Sequence, residues 1–439
     1  FGPDKRWGYF PSGAVAWIIT EENFMKDYSN IVSYLKLRGS VGKTGSQNLG
    51  AYDWRTLMGS ATYNGAAGIV PSSLGNDILQ WEEQIQKEVG LDYGFWDDRI
   101  RGTLGYYQKK VDNLLYSDPV PTSSSFSSVY QNIGSLKNRG IEFDVRVDII
   151  KNAPKDLTWN VDFNIARNRT TLEKLNSSDG YFGGGAYDYF KIEEGGETGR
   201  FYGYKDAGRL FMTNEELVGL KTIDPKTGTL KYYRDDYNYE RQGDVYIMDL
   251  DGDGQITADG DRTVIGNANP DFFGGFGSTL YWKGLMLNAV FSYSVGGDRF
   301  WDEEKNSSGD MNVYNTSNRI LDSWTVNPGV NASYPRAMYY GWGSNSIITD
   351  RYIHDASYLR MTALNLSYRL PKHLYKNSIL NAVEFTFQAT NLFTWTKYPG
   401  MDPQGNFSTT YSAFYNMGID YSTYPSARTY NFGIKLTLK

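Results

Sequence analysis

Cysteine is absent from the 439 residues, and histidine occurs only twice, at His354 and His373. The first absence removes disulfides, thiolate nucleophiles and zinc–sulfur centres. The second leaves too little imidazole for most catalytic triads or metal sites, and both histidines are expected as ordinary surface residues. No apolar run approaches the roughly 20 residues of a membrane-crossing helix; the longest, GAVAWII at 13–19, stops well short. The opening FGPDKRWGYFPSG has neither the basic start nor the apolar centre of a secretory signal. Its abrupt beginning without methionine is expected to mark a processed or partial chain. Blocks of lysine or arginine are missing too. With a net charge of −6, nothing is offered to neutralise a nucleic-acid backbone or to make a polybasic membrane anchor.

Aromatic residues are plentiful at 16%, including 36 Tyr, and glycine is abundant at 47. Period-two alternation dominates the chain. In IEFDVRVDI (141–149) the apolar residues Ile141, Phe143, Val145, Val147 and Ile149 share one face, and Glu142, Asp144, Arg146 and Asp148 share the other. LTWNVDFNI (157–165), VEFTFQATN (383–391) and YNFGIKLTL (430–438) repeat the pattern. About eleven to thirteen strands are expected on this rhythm, with a long one over 78–95 and a short helix within a loop at 212–220, capped by Thr213.

A soluble sandwich alternates as well, so the connections matter. Lys283-Gly284 and WDDR (96–99) are very short, whereas 171–243, 297–350 and 393–427 are long and rich in Gly, Asn, Ser and Tyr. Short turns at one end, long loops at the other, strongly polar alternate faces and excess aromatic residues for interfacial girdles together describe a transmembrane antiparallel β-barrel. The competing expectation is a secreted or surface carbohydrate-binding β-protein with a calcium-braced loop.

Enzyme chemistry has little to work with. The carboxylate pairs Glu82-Glu83, Asp97-Asp98 and Glu303-Glu304 are adjacent, so on a strand each pair points to opposite faces and cannot flank a cleft. FGGGAYDYF (182–190) lacks the strand–helix setting of a phosphate loop. No catalytic residue is assigned. The long stretch 297–350 supplies aromatic faces and polar groups of the kinds that hold sugars or peptides: Trp301, Asp302, Asn312, Tyr314, Tyr339, Tyr340 and Trp342. These are the candidate substrate contacts.

DLDGDGQITADGD (249–261) opens like a calcium loop. Asp249, Asp251 and Asp253 fall at positions 1, 3 and 5, Gly254 sits at the sharp turn, Gln255 offers a backbone carbonyl at 7, and Thr257 falls at 9. A hard cation takes six to eight oxygens, most of which this spacing supplies. Position 12 is Gly260, however, with Asp259 and Asp261 on either side. Asp261 is the candidate closing ligand for Ca²⁺ or Mg²⁺. The alternative is a metal-free turn whose aspartates accept hydrogen bonds from their own backbone.

Several motifs, in order, carry a resemblance: FPSGAVAWIITEENFMKD (10–27), LKLRGSVGKTG (35–45), LQWEEQIQKEVGLDYGFWDDRIRGTLGYYQKKVDNLL (79–115), NIGSLKNRGIEFDV (132–145), GDVYIMDLDGDGQITADGDRTVIGNANPDFFGGF (243–276), ASYLRMTALNLSYRLP (356–371), ATNLFTWTKYPGMDP (389–403) and ARTYNFGIKLTL (427–438). The series resembles the C-terminal part of the SusC/RagA family of TonB-dependent outer-membrane transporters of Bacteroidetes. That resemblance implies the C-terminal half of a 22-stranded barrel, with the plug upstream and absent from this chain, and residues 1–439 as one barrel portion with long extracellular loops near 171–243, 244–270, 297–350 and 393–427. It further implies a bacterial outer-membrane location in contact with its lipid, import of oligosaccharides or peptides, a SusD-like surface lipoprotein as lid, and TonB coupling through the missing N-terminal part. The family's aspartate loop is similar but carries its acid one residue earlier than Asp261; its expected role is to brace a loop near the lid. The final strand alternates as expected, although the family's terminal aromatic is replaced by Leu438-Lys439.

Overall fold

The structure is a computed structural model. It describes all residues except 47–48, 154–155, 176–180, 184–188, 212–221, 224–229, 232–241, 255, 309–315, 326–327, 329–331, 338–344, 346, 377–378, 406–416 and 439.

Alternating sequence is realised as one 11-stranded antiparallel sheet, in which each strand pairs with its neighbours in sequence. Its strands are β1 Ser12–Ile18, β2 Val32–Ser46, β3 Glu82–Phe95, β4 Ile100–Asp112, β5 Ser135–Ala153, β6 Leu157–Lys174, β7 Phe272–Trp282, β8 Leu285–Val295, β9 Tyr358–Arg369, β10 Leu380–Thr396 and β11 Thr429–Leu438. The connections alternate in length along the whole meander. At one end lie 19–31, 96–99, 154–156, 283–284 and 370–379; at the other lie 47–81, 113–134, 175–271, 296–357 and 397–428. Short turns on one rim and long loops on the other are the pattern of an outer-membrane barrel wall. A membrane-crossing strand needs about 9–11 residues, so β5 and β6, with 19 and 18 residues, are longer than a crossing requires; β6 runs past the end of β7 on the long-loop side and β5 past the end of β4 on the short-turn side.

The shortest turn shows how locally the wall is specified. Lys283 and Gly284 both take left-handed φ values, 48° and 86°, which a two-residue type I′ hairpin requires. The four-residue turn after β3 holds Trp96, Asp97 and Asp98 at positive φ. It is fixed by Ser33 Oγ donating to Asp98 Oδ1 at 2.8 Å and by Lys151 Nζ donating to the Asp97 carbonyl at 2.6 Å.

Register separates the two faces. Leu91, Leu104, Phe143 and Ile165 lie side by side across β3–β6, on the face that also carries the stacked pair Phe276–Phe291, with ring centroids 4.6 Å apart. Trp17, Trp159, Trp282, Tyr368 and Phe385 are exposed on this face near the short turns, and Phe393, Trp395 and Tyr430 near the long loops. These make two aromatic girdles bounding an apolar band. The opposite face is charged: Lys36 lies 3.5 Å and Arg38 Nε 3.2 Å from Asp92, Arg38 also pairs with Glu88, and Arg101 lies 3.1 Å from Asp148. Such pairs are worth at most about 1 kcal/mol each in water. Their significance is that this face is wetted, as a barrel lumen is.

Buried apolar side chains are concentrated in the long loops rather than beneath the sheet. Tyr189, Phe190 and Phe201 from 175–271, Phe300, Ile348 and Tyr352 from 296–357, and Ile419 from 397–428 form one cluster. A second joins Leu210, Phe211, Val245, Ile247 and Ile256. Burying each such side chain contributes about 1.5–3 kcal/mol, so three loops distant in sequence are packed into one body at the sheet's end.

The strands expected at 141–149, 157–165, 383–391 and 430–438 fall within β5, β6, β10 and β11, and both expected short turns are turns. The strand expected over 78–95 begins only at Glu82; Leu79, fully buried, accepts a backbone bond from Gly2 instead. The helix expected at 212–220 lies outside the described residues.

Candidate functional site

The loop body is held by buried ionic groups as much as by its apolar core. A short helix, α1 Asp302–Ser308, follows the loop strand Asp298–Trp301. Asp302 is 1% exposed; Tyr189 Oη donates to it at 2.9 Å, Asn306 Nδ2 at 2.6 Å, and Lys305 Nζ lies 3.2 Å away. Glu304, two residues on and pointing to another side of the helix, takes Arg319 Nη1 at 2.5 Å and sits 2.6 Å from His354 Nε2, with Tyr334 Oη donating at 3.3 Å. The Arg319 guanidinium lies 4.5 Å from the centre of the Trp301 ring. Buried charges survive only when paired in this way, so this cluster rigidifies the loop.

An opening is left where that body meets the inner face of β7–β9. A cavity of about 300 Å³ is lined by Phe273, Ser294, Gly297, Arg299, Tyr358 and Gln404, among others. Arg299 Nη1 donates to the carbonyls of Ala268 and Asp298 at 3.3 and 3.1 Å, while its Nε is enclosed without a hydrogen-bond partner. Burial pushes the guanidinium below its usual range, against the pull of nearby groups including Asp420 and Asp298. Asp298 itself is held above the usual carboxylate range by burial. Tyr398, whose hydroxyl donates to Asp420 Oδ2 at 2.7 Å, is pushed strongly up, first by burial and then by that bond. A guanidinium with spare donors, beside a phenol and a carboxamide, can take a carboxylate or a set of hydroxyls. Sequence reasoning missed Arg299, Tyr358 and Gln404. The one signal was Gly296-Gly297, whose φ values of 70° and 85° turn the chain off β8 and bring Arg299 to the cavity.

The aspartate loop lies beside the second apolar cluster. Asp249 accepts from the Gly252 and Gly254 amides at 2.7 and 2.8 Å, and Asp251 from the Asp253 amide at 3.1 Å. Gly252 and Gly254 both have positive φ, 77° and 80°, so the loop needs glycine at these two points. One carboxylate oxygen from each of Asp249, Asp251 and Asp253 can be chosen so that all three lie within 4.8 Å of one another. Asp261 stands behind them, fully buried, and clasps the loop by accepting from the Leu250 and Thr257 amides, each at 2.7 Å. Burial raises its carboxyl, the two amides lower it, and Asp251 and Asp249 raise it further, for a net upward shift. Thr257 caps the short turn of helix Ala258–Asp261 through the Gly260 amide at 3.0 Å. The first three acids have the oxygens a hard cation uses. Asp261 and Thr257 are engaged with the backbone.

Of the expected substrate contacts, Trp301 and Asp302 are packed into the loop body: Asp302 is bonded on both oxygens, and Trp301 has its indole Nε1 enclosed. Asn312, Tyr314, Tyr339, Tyr340 and Trp342 lie outside the described residues, as does Gln255 of the aspartate loop. His373 is exposed in a short turn, as expected. His354 is not an ordinary surface residue; it is bound to Glu304 and sits edge-on to Trp301.

Comparison with known proteins agrees with this architecture. The family described as TonB dependent receptor-like, beta-barrel, matches residues 1–392. TonB-dependent receptor P3 of Formosa agariphila is 33% identical over 458 residues, covering 99% of this chain and 42% of that protein. TonB-dependent receptor SusC of Bacteroides thetaiotaomicron is 30% identical over 452 residues, covering 99% and 40%. Among solved structures, the RagAB peptide importer in its closed-closed state superposes with a TM-score of 0.76 at 27% identity, over 99% of this chain and 44% of that one. The chain thus spans less than half the length of these relatives. With its lipid-facing apolar band, its wetted inner face and this kinship, the chain belongs to the TonB-dependent receptor β-barrel family, as an outer-membrane barrel of the SusC/RagA kind.

Proposed function

We propose that the chain forms the C-terminal barrel portion of a receptor that imports oligosaccharides or peptides across the outer membrane under TonB drive. The observation that carries this reading is the match in shape to the RagAB peptide importer over 99% of the chain. The eleven strands then supply half of a 22-stranded wall, and the long loops face the cell exterior. A SusD-like lipoprotein closes over those loops as a lid, and TonB engages a part of the receptor outside residues 1–439. Substrate is held without covalent chemistry, Arg299, Tyr358 and Gln404 contributing contacts at the mouth of the lumen. Asp249, Asp251 and Asp253 hold a Ca²⁺ or Mg²⁺ that braces the loop beneath the lid, with Asp261 securing the loop from behind.

The test is affinity purification of the whole receptor from its native outer membrane in mild detergent. A stoichiometric surface lipoprotein that cross-links to 175–271 or 296–357 supports the reading. A receptor isolated alone, with the long loops accessible to protease only from the periplasmic side, overturns it.

A further inference from the structure

The outward face carries a row of charge that neither the lumen nor the loop body uses. At the top of the apolar band, register places Lys87 beside Gln108, Gln108 beside Arg139, and Arg139 beside Arg169. One step lower, Arg167 lies beside Ile141, which lies beside Tyr106. All have the parity of Leu91, Leu104 and Phe143, so they face away from the lumen. Arg139 and Arg167 are diagonal neighbours about 7–8 Å apart.

Arg169 is already committed: it lies 3.1 Å from Asp271 and 3.8 Å from Glu197. In the next row towards the loops the charges are matched as well, Lys43 with Glu83 at 2.7 Å, Lys110 with Asp112 at 3.0 Å, and Lys137 with Glu173 at 3.2 Å. Lys87, Arg139 and Arg167 are different. They are exposed and have no ion pair among the described residues. Gathering uncompensated cations on one face is unfavourable unless an anion from outside joins them.

A groove lies directly beside this row. It has a volume of about 750 Å³, with Val15, Gly39, Val41, Val89 and Tyr106 in its walls and Lys87 and Gln108 at its upper edge. Its floor is open because two residues lack side chains: a Cβ at Gly13 would meet nothing within 4 Å, and one at Gly39 nothing nearer than 3.9 Å. The groove is apolar at membrane depth, and its cations stand at headgroup height.

We infer that this face is a binding site for a phosphorylated lipid of the outer leaflet, with an acyl chain in the Gly13–Gly39 groove and headgroup phosphate on Lys87, Arg139 and Arg167. Charge complementarity commits it to an anionic lipid. A neutral lipid would fill the groove and leave the cations unmet. The inference rests on the proposed function only for the outward orientation of the long loops.

The experiment uses the whole receptor in nanodiscs of zwitterionic phospholipid doped with a phosphorylated lipid extracted from the native outer membrane. Bound lipid is counted by native mass spectrometry. The site predicts retention of phosphorylated over neutral lipid, lost in high salt, with about fivefold weaker retention for each of K87Q, R139Q and R167Q. Gly39→Leu, which fills the groove and changes no charge, lowers retention of acylated ligand while leaving binding of inorganic phosphate unchanged. The lumen-facing K109Q serves as control and retains lipid like the parent. Unboiled gel mobility checks that each barrel is assembled. Equal retention in K87Q, R139Q, R167Q and the parent overturns the inference, as does loss of receptor dimer with unchanged lipid, which would assign the face to a second copy. Protease protection of the long loops in whole cells reports orientation separately, so a failure of the proposed function is distinguishable from a failure of the lipid site.

Discussion

Arg360 Nη2 donates to Asp402 Oδ1 at 2.6 Å, and the two side chains are 4% and 7% exposed. This pair ties the inner face of β9 to the loop that follows β10. Arg360 also reaches Thr394 at 3.0 Å and Gln404 at 2.5 Å, so the same guanidinium positions one wall of the Arg299 cavity. Removing Arg360 strands a buried carboxylate, which costs about 3–5 kcal/mol. Arg360→Met is therefore expected to loosen residues 397–405, read as faster hydrogen exchange there with the heat-resistant barrel band retained. The double change R360M/D402N should recover part of the loss, because no charge is then left unpaired and the amide oxygen still accepts from a backbone amide at Gln404 or Ser426.

The same pair sets a pH dependence. Burial alone would raise the Asp402 carboxyl, but the Gln404 amide, Arg360 and the Ser426 amide outweigh it and hold the group below its usual range. A depressed folded-state value contributes stability that is fully present above the unfolded carboxylate value, about 3.9. That stability is lost as pH falls through the lower folded value. Protection of 397–405 should thus hold to about pH 4 and fall only below it. Asp402→Asn should remove this part of the acid transition.

Arg299 gives the most direct test of the proposed substrate contacts. Charge-assisted hydrogen bonds contribute about 1.5–3 kcal/mol. Arg299→Gln is expected to weaken binding of a carboxylate-bearing peptide by about 10–100-fold and that of a neutral oligosaccharide by much less. Isothermal titration with the two ligand classes checks this. Equal and small effects on both would place substrate elsewhere in the lumen.

In the aspartate loop, the structural role and the proposed metal role separate by residue. Asp261 is fully buried and accepts two amide bonds; its replacement by alanine removes both bonds, at about 1 kcal/mol each for partly buried donors, and should open 249–261 to protease with or without Ca²⁺. Asp251 is exposed, so Asp251→Ala should leave the metal-free loop nearly as resistant as the parent and abolish the added protection that Ca²⁺ gives. Chelator should reproduce the Asp251→Ala result in the parent. Identical cleavage of the parent with Ca²⁺ and with chelator would make the loop a metal-free turn.

The loop body should uncouple from the wall. Phe300 is fully buried among Tyr189, Phe201 and Tyr352, and Phe300→Ala should cost about 3–5 kcal/mol of packing. Near-ultraviolet circular dichroism is expected to lose loop aromatic signal, while barrel assembly, followed by gel mobility, is unchanged.

The wall was legible in the sequence because strand alternation is a local code. Ile141 to Ile149 and Leu157 to Ile165 announce their faces without reference to anything distant, and Lys283-Gly284 announces its turn. The loops were not legible in the same way. Tyr189, Phe300 and Ile419 meet across more than two hundred residues of chain, with no periodicity to report it. His354 reads as a surface residue until Glu304, 50 residues away, is folded against it. Trp301 and Asp302 have the chemistry of a ligand site, yet the loop core consumes it. The aspartate triplet was visible from spacing. That Asp261 would grip Leu250 and Thr257 depends on the turn's geometry, and no spacing rule encodes it.

Uptake measures the proposed energised import most directly. Cells carrying the whole receptor and the proposed lipoprotein partner, and otherwise identical cells lacking the receptor, are supplied with fluorescent oligosaccharides and peptides too large for general porins. Periplasmic accumulation of one ligand class is expected only where the receptor is present, and a protonophore should abolish it. Accumulation that is equal in the two strains, or that persists when the proton gradient is collapsed, would contradict it.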